Sequence, residues 1–405
     1  MKSWRASFQS HLNLSTLMFF YSCKRLLISS RDSGSRLCVF QYPFCCKSIA
    51  HISDSTNPPS FHIDYLINSC GVSPETALSA AKRIRSSFST AEKPDSVLKF
   101  LESNGFLKPH ITKLISANPR LLSADIERTL KPKIKLFQDL GLSGPKLAEL
   151  IASNPSILLR SLNGQIIPCI QLVRSFVETD ENVIKALKRS KWLLSCNPDL
   201  RMQPNIALLR DHNVPDSRIA HLIINQPGSL LLKTESLKET VESVEKLGFK
   251  PESGRFTIAI HTLCSMSKST WEAKLMLLKD LGWSEEDIFS AFKKMPIFLA
   301  CSENKMKEGM DFFVKMLKWD ASFIAKHPKL LMYSLRKRVI PRFEIYKVLM
   351  SQGLLRDEWE LIHMLNLRET DFMMKYVTQY DEEFSHLLKA YKGEESNLGG
   401  SWKQL

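Results

Sequence analysis

The stretch Gly282-Trp283-Ser284-Glu285-Glu286-Asp287 joins the end of one helix to the start of another. Glycine adopts the left-handed backbone conformation that closes a helix, and an apolar residue after it folds back on the last turn. Serine accepts hydrogen bonds from the free amides of a new helix, whose positive end favours acidic side chains. The stretch therefore predicts two helices joined by a tight corner.

The same corner returns about every 35 residues, which is typical of a solenoid of stacked helical hairpins. Ser73-Pro74-Glu75 and Lys250-Pro251-Glu252 predict helix starts after two of the other corners. The slots near Glu178 and at Lys318 lack glycine, so irregular corners are expected there. Each corner residue is glycine or asparagine followed by an apolar residue: Gly71, Gly105, Gly141, Asn213, Gly248, Gly282 and Gly353.

A second motif, out of phase with the corners, marks the end of the second helix of each hairpin. The residue before a proline is pushed out of helical geometry, and the apolar pair that follows is placed to fill the seam between hairpins. Arg189–Leu194 fills one slot without proline, and the seam near Thr262 has no proline either. The motif begins at Asn118, Asn154, Gln226, Met295 and His327, and another proline recurs inside the next helix at Pro132, Pro168 and Pro204. The predicted fold is an all-α solenoid whose repeats hold two helices and a short proline-led turn.

The charge distribution predicts three regions. Residues 1–50 hold seven basic residues, one acidic residue and ten serines, a composition typical of an organelle transit peptide. A secretory signal is the alternative, but polar residues interrupt the apolar core Leu12–Cys23 and no small-residue cleavage site follows it. We predict a disordered transit peptide over residues 1–55, the repeat array over 56–353 and an acidic helical tail over 354–405.

The array itself is strongly basic. Of the net charge of +14, residues 51–353 carry +12, while residues 354–405 carry −4. A folded basic array indicates a polyanionic partner. A soluble protein with a lysine-rich, solvated surface is the alternative interpretation.

Signatures of catalysis, metal binding and membrane insertion are absent from the sequence. It contains no phosphate-binding loop, dinucleotide fingerprint, zinc-protease motif or nucleophile elbow. Its nine cysteines lack CxxC pairing, and its ten histidines are scattered. The acidic clusters Asp357–Glu360 and Asp381–Glu383 are expected to be solvated helix faces. We therefore predict a protein that is not an enzyme and uses no cofactor, metal, membrane anchor or small-molecule substrate.

Four stretches of the sequence are similar to a known family. Leu130-Lys131-Pro132-Lys133 with Leu140-Gly141-Leu142-Ser143, Lys279–Ser284, Tyr65–Gly71 and Tyr333–Arg342 resemble the mitochondrial transcription termination factor (mTERF) family in its plant form. The resemblance covers about residues 60–355. It implies a superhelix with two helices and a short 3₁₀ turn per repeat, which binds organellar nucleic acid. Members of the family act in transcription termination or initiation, in intron splicing, or in ribosomal RNA maturation.

Cations recur near the proline-led turns, about one per repeat, and are the candidate contacts to a nucleic-acid backbone. They are Arg160, Arg201, Lys233, Lys305, Arg336, Arg338 and Arg342. Trp192, Trp271 and Trp283 are candidates for stacking on unpaired bases, although core packing is the favoured interpretation for all three.

The predicted function is regulation of organellar gene expression, such as transcription termination, by binding double-stranded DNA. An organellar RNA-binding factor for splicing or ribosomal RNA maturation and a protein-binding helical scaffold are the alternatives. The leader composition favours the mitochondrion over the chloroplast. A monomer is expected.

Overall fold

The structure, a computed structural model, describes residues 60–84, 88, 90–190 and 192–380. The predicted transit peptide and residues 381–405 lie outside this part of the chain. The regular elements of the described residues are all helical, as the sequence predicts. The fold divides into two units, an N unit up to residue 257 and a C unit from residue 258, and each is described by itself.

The helices of each unit are short and follow one another as hairpins. The N unit contains α1 (Ser60–Asn68), α2 (Pro74–Ala81), α3 (Glu92–Ser103), α4 (Lys108–Ala117), α5 (Lys131–Asp139), α6 (Gly144–Ser153), α7 (Ile167–Arg174), α8 (Asp180–Arg189), α9 (Met202–Asp211), α10 (Asp216–Asn225) and α11 (Thr234–Lys246). The division between the units falls within α12 (Gly254–Cys264). The C unit continues with α13 (Lys268–Asp280), α14 (Glu285–Lys294), α15 (Glu303–Met310), α16 (Ala321–Lys326), α17 (Ile340–Ser351), α18 (Glu358–Asn366) and α19 (Glu369–Phe372).

The predicted corners are confirmed by backbone geometry. Asn213 and Lys318 both have a φ of 58°, so Lys318 adopts the left-handed conformation although it is not glycine. Ser284 and Asp287 form reciprocal cap hydrogen bonds of 3.0 and 3.1 Å at the start of α14. Positive φ values are found at every predicted corner glycine: Gly71, Gly105, Gly141, Gly248, Gly282 and Gly353. One helix start differs, because α12 begins at Gly254 rather than at residues 250–252.

Substitution of two corner glycines distinguishes the cost of a left-handed backbone from the cost of steric crowding. A Cβ atom on Gly105 would lie 2.6 Å from the Cα atom of Gly144, whereas a Cβ atom on Gly141 would meet nothing within 4 Å. We expect Gly141→Ala to lower the free energy of unfolding by about 1–2 kcal/mol, the cost of a left-handed alanine. Gly105→Ala should cost at least about 1 kcal/mol more, since the backbone at the start of α6 must also shift. Urea unfolding of the two variants tests the difference, and equal losses would contradict it.

The proline-led turns also form where the sequence predicts them. The residues before proline leave helical geometry, as at Asn154 with φ −138° and ψ 76°. Turns of successive repeats contact one another within each unit. The seam near Thr262 has no such turn between α12 and α13. The 3₁₀ turns between successive hairpins are Pro119–Ser123, Pro155–Leu159, Leu193–Ser195, Pro227–Leu231, Pro296–Ala300 and Pro328–Met332, and each buries a pair of apolar side chains.

Three helices begin with a single π-helical turn, and each of these turns precedes a proline. The turns Ile126–Leu130, Leu162–Ile166 and Leu335–Val339 lead into α5, α7 and α17. Proline lacks an amide hydrogen and excludes the carbonyl four residues earlier, so the helix widens there. The π turn inserts one extra residue into the first part of the helix.

The last hairpin extends beyond the predicted end of the array at residue 353. Leu355, Met364, Phe372 and Tyr376 pack with Ile345 in one buried cluster. Residues 354–380 therefore belong to the packed fold rather than to a separate polar tail. Asp357 caps α18 through bonds of 3.0 and 3.3 Å to the amides of Trp359 and Glu360.

Candidate nucleic-acid interface

Polar side chains at one position of the N-unit repeats bond to the backbone of the next repeat. The Lys133 Nζ atom donates to the Leu158 carbonyl oxygen at 2.5 Å. The Asn205 Nδ2 atom donates to the Leu230 and Leu232 carbonyl oxygens, both at 2.9 Å. The last carbonyls of a short helical turn have no partner within the turn, so these donors satisfy them. Burial lowers the pKa of Lys133 below its ordinary value.

The C unit repeats this arrangement with a lysine and an arginine as donors. The Lys274 Nζ atom donates to the Leu299 carbonyl oxygen at 2.6 Å. The guanidinium of Arg342, 0% exposed, donates to the Met364 and Leu367 carbonyl oxygens at 2.5 and 2.9 Å. Burial lowers the pKa of Lys274, while nearby Cys301 and Glu303 act in the opposite direction.

One C-unit repeat supplies its donor from an earlier turn of the helix. A Cβ atom on Gly309 would lie 3.0 Å from the Leu331 Cδ2 atom, so a long side chain has no room there. The donor is instead Lys305, whose Nζ atom lies 2.5 Å from the Met332 carbonyl oxygen. Arg338 similarly donates from its Nε atom to the Leu365 carbonyl oxygen at 2.9 Å.

These contacts reassign three of the seven candidate cations. Arg342 is completely buried and is not a surface contact for phosphate, because its guanidinium is already held by backbone carbonyls. Lys305 and Arg338 are half-buried and are committed to the neighbouring repeat. Periodicity places a cation near a turn but does not reveal that the next repeat offers it a carbonyl oxygen.

The other four candidates remain on the surface, and we call them the turn cations: Arg160, Arg201 and Lys233 in the N unit and Arg336 in the C unit. Lys233 and Arg336 are exposed, and Arg160 and Arg201 are half-buried. Burial raises the pKa of the Cys196 thiol, and the positive charges of Arg201 and Arg160 both oppose that shift, so both charges lie near Cys196. None of the four forms an ion pair with an acidic side chain of the described residues.

A second set of exposed cations, which the sequence interpretation missed, lies at the ends of second helices and in the turns that follow. Lysine and arginine near a helix C-terminus also complement its negative end, so their position has a structural reason. Arg83 donates to the carbonyl oxygens of Ser116 and Ala117, and Lys294 donates to that of Lys326 at 2.6 Å. In the sequence these cations can be recognised as basic residues within a few positions of the slot for the proline-led turn. They are Lys82, Arg83, Arg120, Lys188, Arg189, Lys293, Lys294, Lys326 and Lys329.

The tryptophans divide between core and surface. Trp271 and Trp283 are 3% and 2% exposed, which confirms core packing for these two. Trp192 is 37% exposed and lies beside a proline-free turn. Trp359 is 57% exposed, and the sequence interpretation did not single it out.

In the part of the chain that the structure describes, no three His, Cys, Asp or Glu side chains are grouped so as to hold a metal ion. No helix of the same residues has the length and apolar character needed to cross a bilayer.

Similarity to known proteins covers most of the helices described above. The family model mTERF matches residues 98–260 and 259–373. The chain belongs to the mTERF family. It is also similar to the protein named Transcription termination factor MTERF8, chloroplastic, of Arabidopsis thaliana, with 22% identity over 256 residues. That alignment covers 63% of this chain and 50% of the relative, so the chain spans about half of the relative's length.

Proposed function

We propose that this mTERF-family protein is a non-enzymatic nucleic-acid-binding protein that regulates gene expression in an organelle, with double-stranded DNA as its ligand. The observation that carries the proposal is the set of turn cations, which lie at or near the surface and form no ion pair with an acidic side chain of the described residues. The charge of +12 over residues 51–353 adds long-range attraction for a polyanion. The family and the name of the plant relative support a role in transcription termination.

The turn cations would contact phosphate oxygens and hold the backbone of the duplex. Such contacts provide affinity without reading sequence. Arginine also has the planar donor pair that matches the O6 and N7 atoms of guanine. Arg160, Arg201 and Arg336 are therefore the residues with which this surface would add a preference for guanine.

The proposed organelle rests on two observations. The leader composition favours the mitochondrion, and the plant relative is named as chloroplastic. We infer import into an organelle and retain the mitochondrion as the proposed destination. Import of the full chain into isolated mitochondria and chloroplasts, followed by protease protection, tests this choice.

The salt dependence of binding tests the proposed function. If the four turn cations each neutralise one phosphate, the slope of log affinity against log salt should be about −4 or steeper for duplex DNA. Fluorescence anisotropy of a labelled duplex, repeated with RNA of the same sequence, measures the slope for both ligands. Salt-independent binding, or a partner that is retained after nuclease treatment, would favour a protein-binding scaffold instead.

A further inference from the structure

A partly exposed aromatic cluster, in which two rings are half-buried and one is exposed, lies at the end of α16 and the start of α18 in the C unit. We call it the aromatic shelf and define it as Phe323, His327 and Trp359. The Trp359 ring lies 5.5 Å from both the Phe323 and the His327 ring, at interplanar angles of 68° and 75°. These tilted contacts fix the indole without stacking over it, and 57% of Trp359 stays exposed.

Lysines surround the shelf. Burial lowers the pKa of His327, and the positive charges of Lys294 and Lys326 lower it further, so both charges lie near this ring. The Lys329 Nζ atom lies 3.0 Å from the Asn366 Oδ1 atom and 5.6 Å from the centre of the Tyr333 ring. Two acidic side chains close to Trp359 in the sequence already have partners. Asp357 caps the helix, and Glu360 accepts a hydrogen bond from the Tyr376 hydroxyl at 3.1 Å.

A small cavity opens beside His327. Its volume is about 180 Å³, and Lys294, His327, Lys329 and Asn366 provide its polar lining. Drug-sized ligands occupy pockets of roughly 300–1,000 Å³, so this cavity suits one planar ring or one phosphate group. Two positive charges, an amide and an imidazole thus converge beside an exposed indole.

We propose that the aromatic shelf and its lysines bind an unpaired nucleotide of single-stranded nucleic acid, with the base stacked on Trp359 and its phosphates against Lys294 and Lys329. This inference rests on the proposed function and adds a second kind of ligand to it. Exposed aromatic rings bind bases of any sequence by stacking, and flanking cations hold the backbone. Paired bases within a duplex do not expose their faces, so the shelf selects unpaired segments.

The test compares single-stranded and duplex binding by the full chain. The probes are oligouridylate and oligothymidylate of about ten nucleotides and a duplex that contains the thymidylate strand. Trp359→Ala should weaken binding of the single strands roughly 5- to 100-fold, while the affinity for duplex changes less than about twofold. Trp359→Phe should keep most of the affinity, because phenylalanine also stacks. Met276→Ala is the matched control, since Met276 is 64% exposed in the same unit but lies beside Asp280, Glu303 and Asp311.

The outcomes separate this inference from the proposed function. If the wild-type chain binds duplex but Trp359→Ala binds single strands as tightly as wild type, only the stacking site is overturned. An equal loss for duplex and single strands, or a Trp359→Phe variant as weak as Trp359→Ala, would also overturn it. A wild-type chain that binds none of the probes would remove both proposals. As a second readout, crosslinking of 5-iodouridine oligonucleotides should label the peptide that contains Trp359, and labelling confined to other peptides would contradict the site.

Discussion

Arg342→Ala is expected to lower the free energy of unfolding by about 3–5 kcal/mol. The substitution removes a large side chain that is 0% exposed and takes the Arg342 donor from the carbonyl oxygen of Met364. The carbonyl oxygen of Leu367 loses one of its two donors, because the Arg338 guanidinium also donates to it. It also removes the packing of the guanidinium against the Phe372 ring, 4.3 Å away. The carboxylate of Glu369 contributes little to this loss, because it is 59% exposed and becomes solvated. Denaturant and thermal unfolding, followed by circular dichroism, measure the change.

Arg336→Ala is the matched control for this prediction. Arg336 lies six residues earlier on the surface and should change the free energy of unfolding by less than about 0.5 kcal/mol. Arg342→Lys should recover part of the stability, since one donor remains. An Arg342→Ala variant as stable as wild type would contradict the assigned role, and so would a specific loss of nucleic-acid binding by a fully folded variant.

Replacement of all four turn cations with glutamine is expected to weaken duplex binding by roughly three orders of magnitude or more at about 0.1 M salt. Each lost phosphate contact should also make the slope of log affinity against log salt shallower by about 0.9. Anisotropy titrations over a range of salt concentrations give both quantities. Circular dichroism should show an unchanged fold, because these four side chains lie at or near the surface.

A second quadruple variant distinguishes local contacts from net charge. Lys131, Arg174, Lys185 and Lys315 are exposed and already paired with carboxylates at 2.5–3.2 Å. Their replacement with glutamine lowers the net charge by the same four units. If this control loses as much affinity as the first variant, the turn cations are not the binding surface.

The hairpins were predictable because the main-chain geometry at their ends restricts which residue types can occur there. A left-handed corner selects glycine or asparagine, and proline excludes helical geometry before it, so the corner at Gly282 and the helix end at Asn154 follow from residue type alone. Lys318 shows where this reasoning stops, since surrounding structure holds a lysine in the same conformation.

The site was less predictable because charge alone does not reveal a side chain's partner. Arg336 and Arg342 look equivalent in the sequence, yet one is exposed and the other is completely buried against carbonyl oxygens. The sequence does contain a signal for the buried donors, because Lys133, Asn205 and Arg342 each follow a proline inside a helix. Cys169 also follows such a proline, and its thiol donates to the Leu193 carbonyl oxygen at 3.2 Å. The acidic cluster Asp357–Glu360 gave the opposite error, because it was expected to be a solvated helix face. Instead, Asp357 caps α18 and Glu360 accepts a hydrogen bond from Tyr376.

The π turns have a consequence for how repeats of unequal length coexist. In the helices with a π turn, the buried donor follows its cap by eight residues, as from Asp125 to Lys133 and from Ser334 to Arg342. In α13, which has none, Lys274 follows Ser267 by seven, yet it reaches the same kind of carbonyl oxygen. A one-residue insertion is thus accommodated within a single helical turn, and the hydrogen bond from the buried donor to a carbonyl oxygen of the next repeat is preserved.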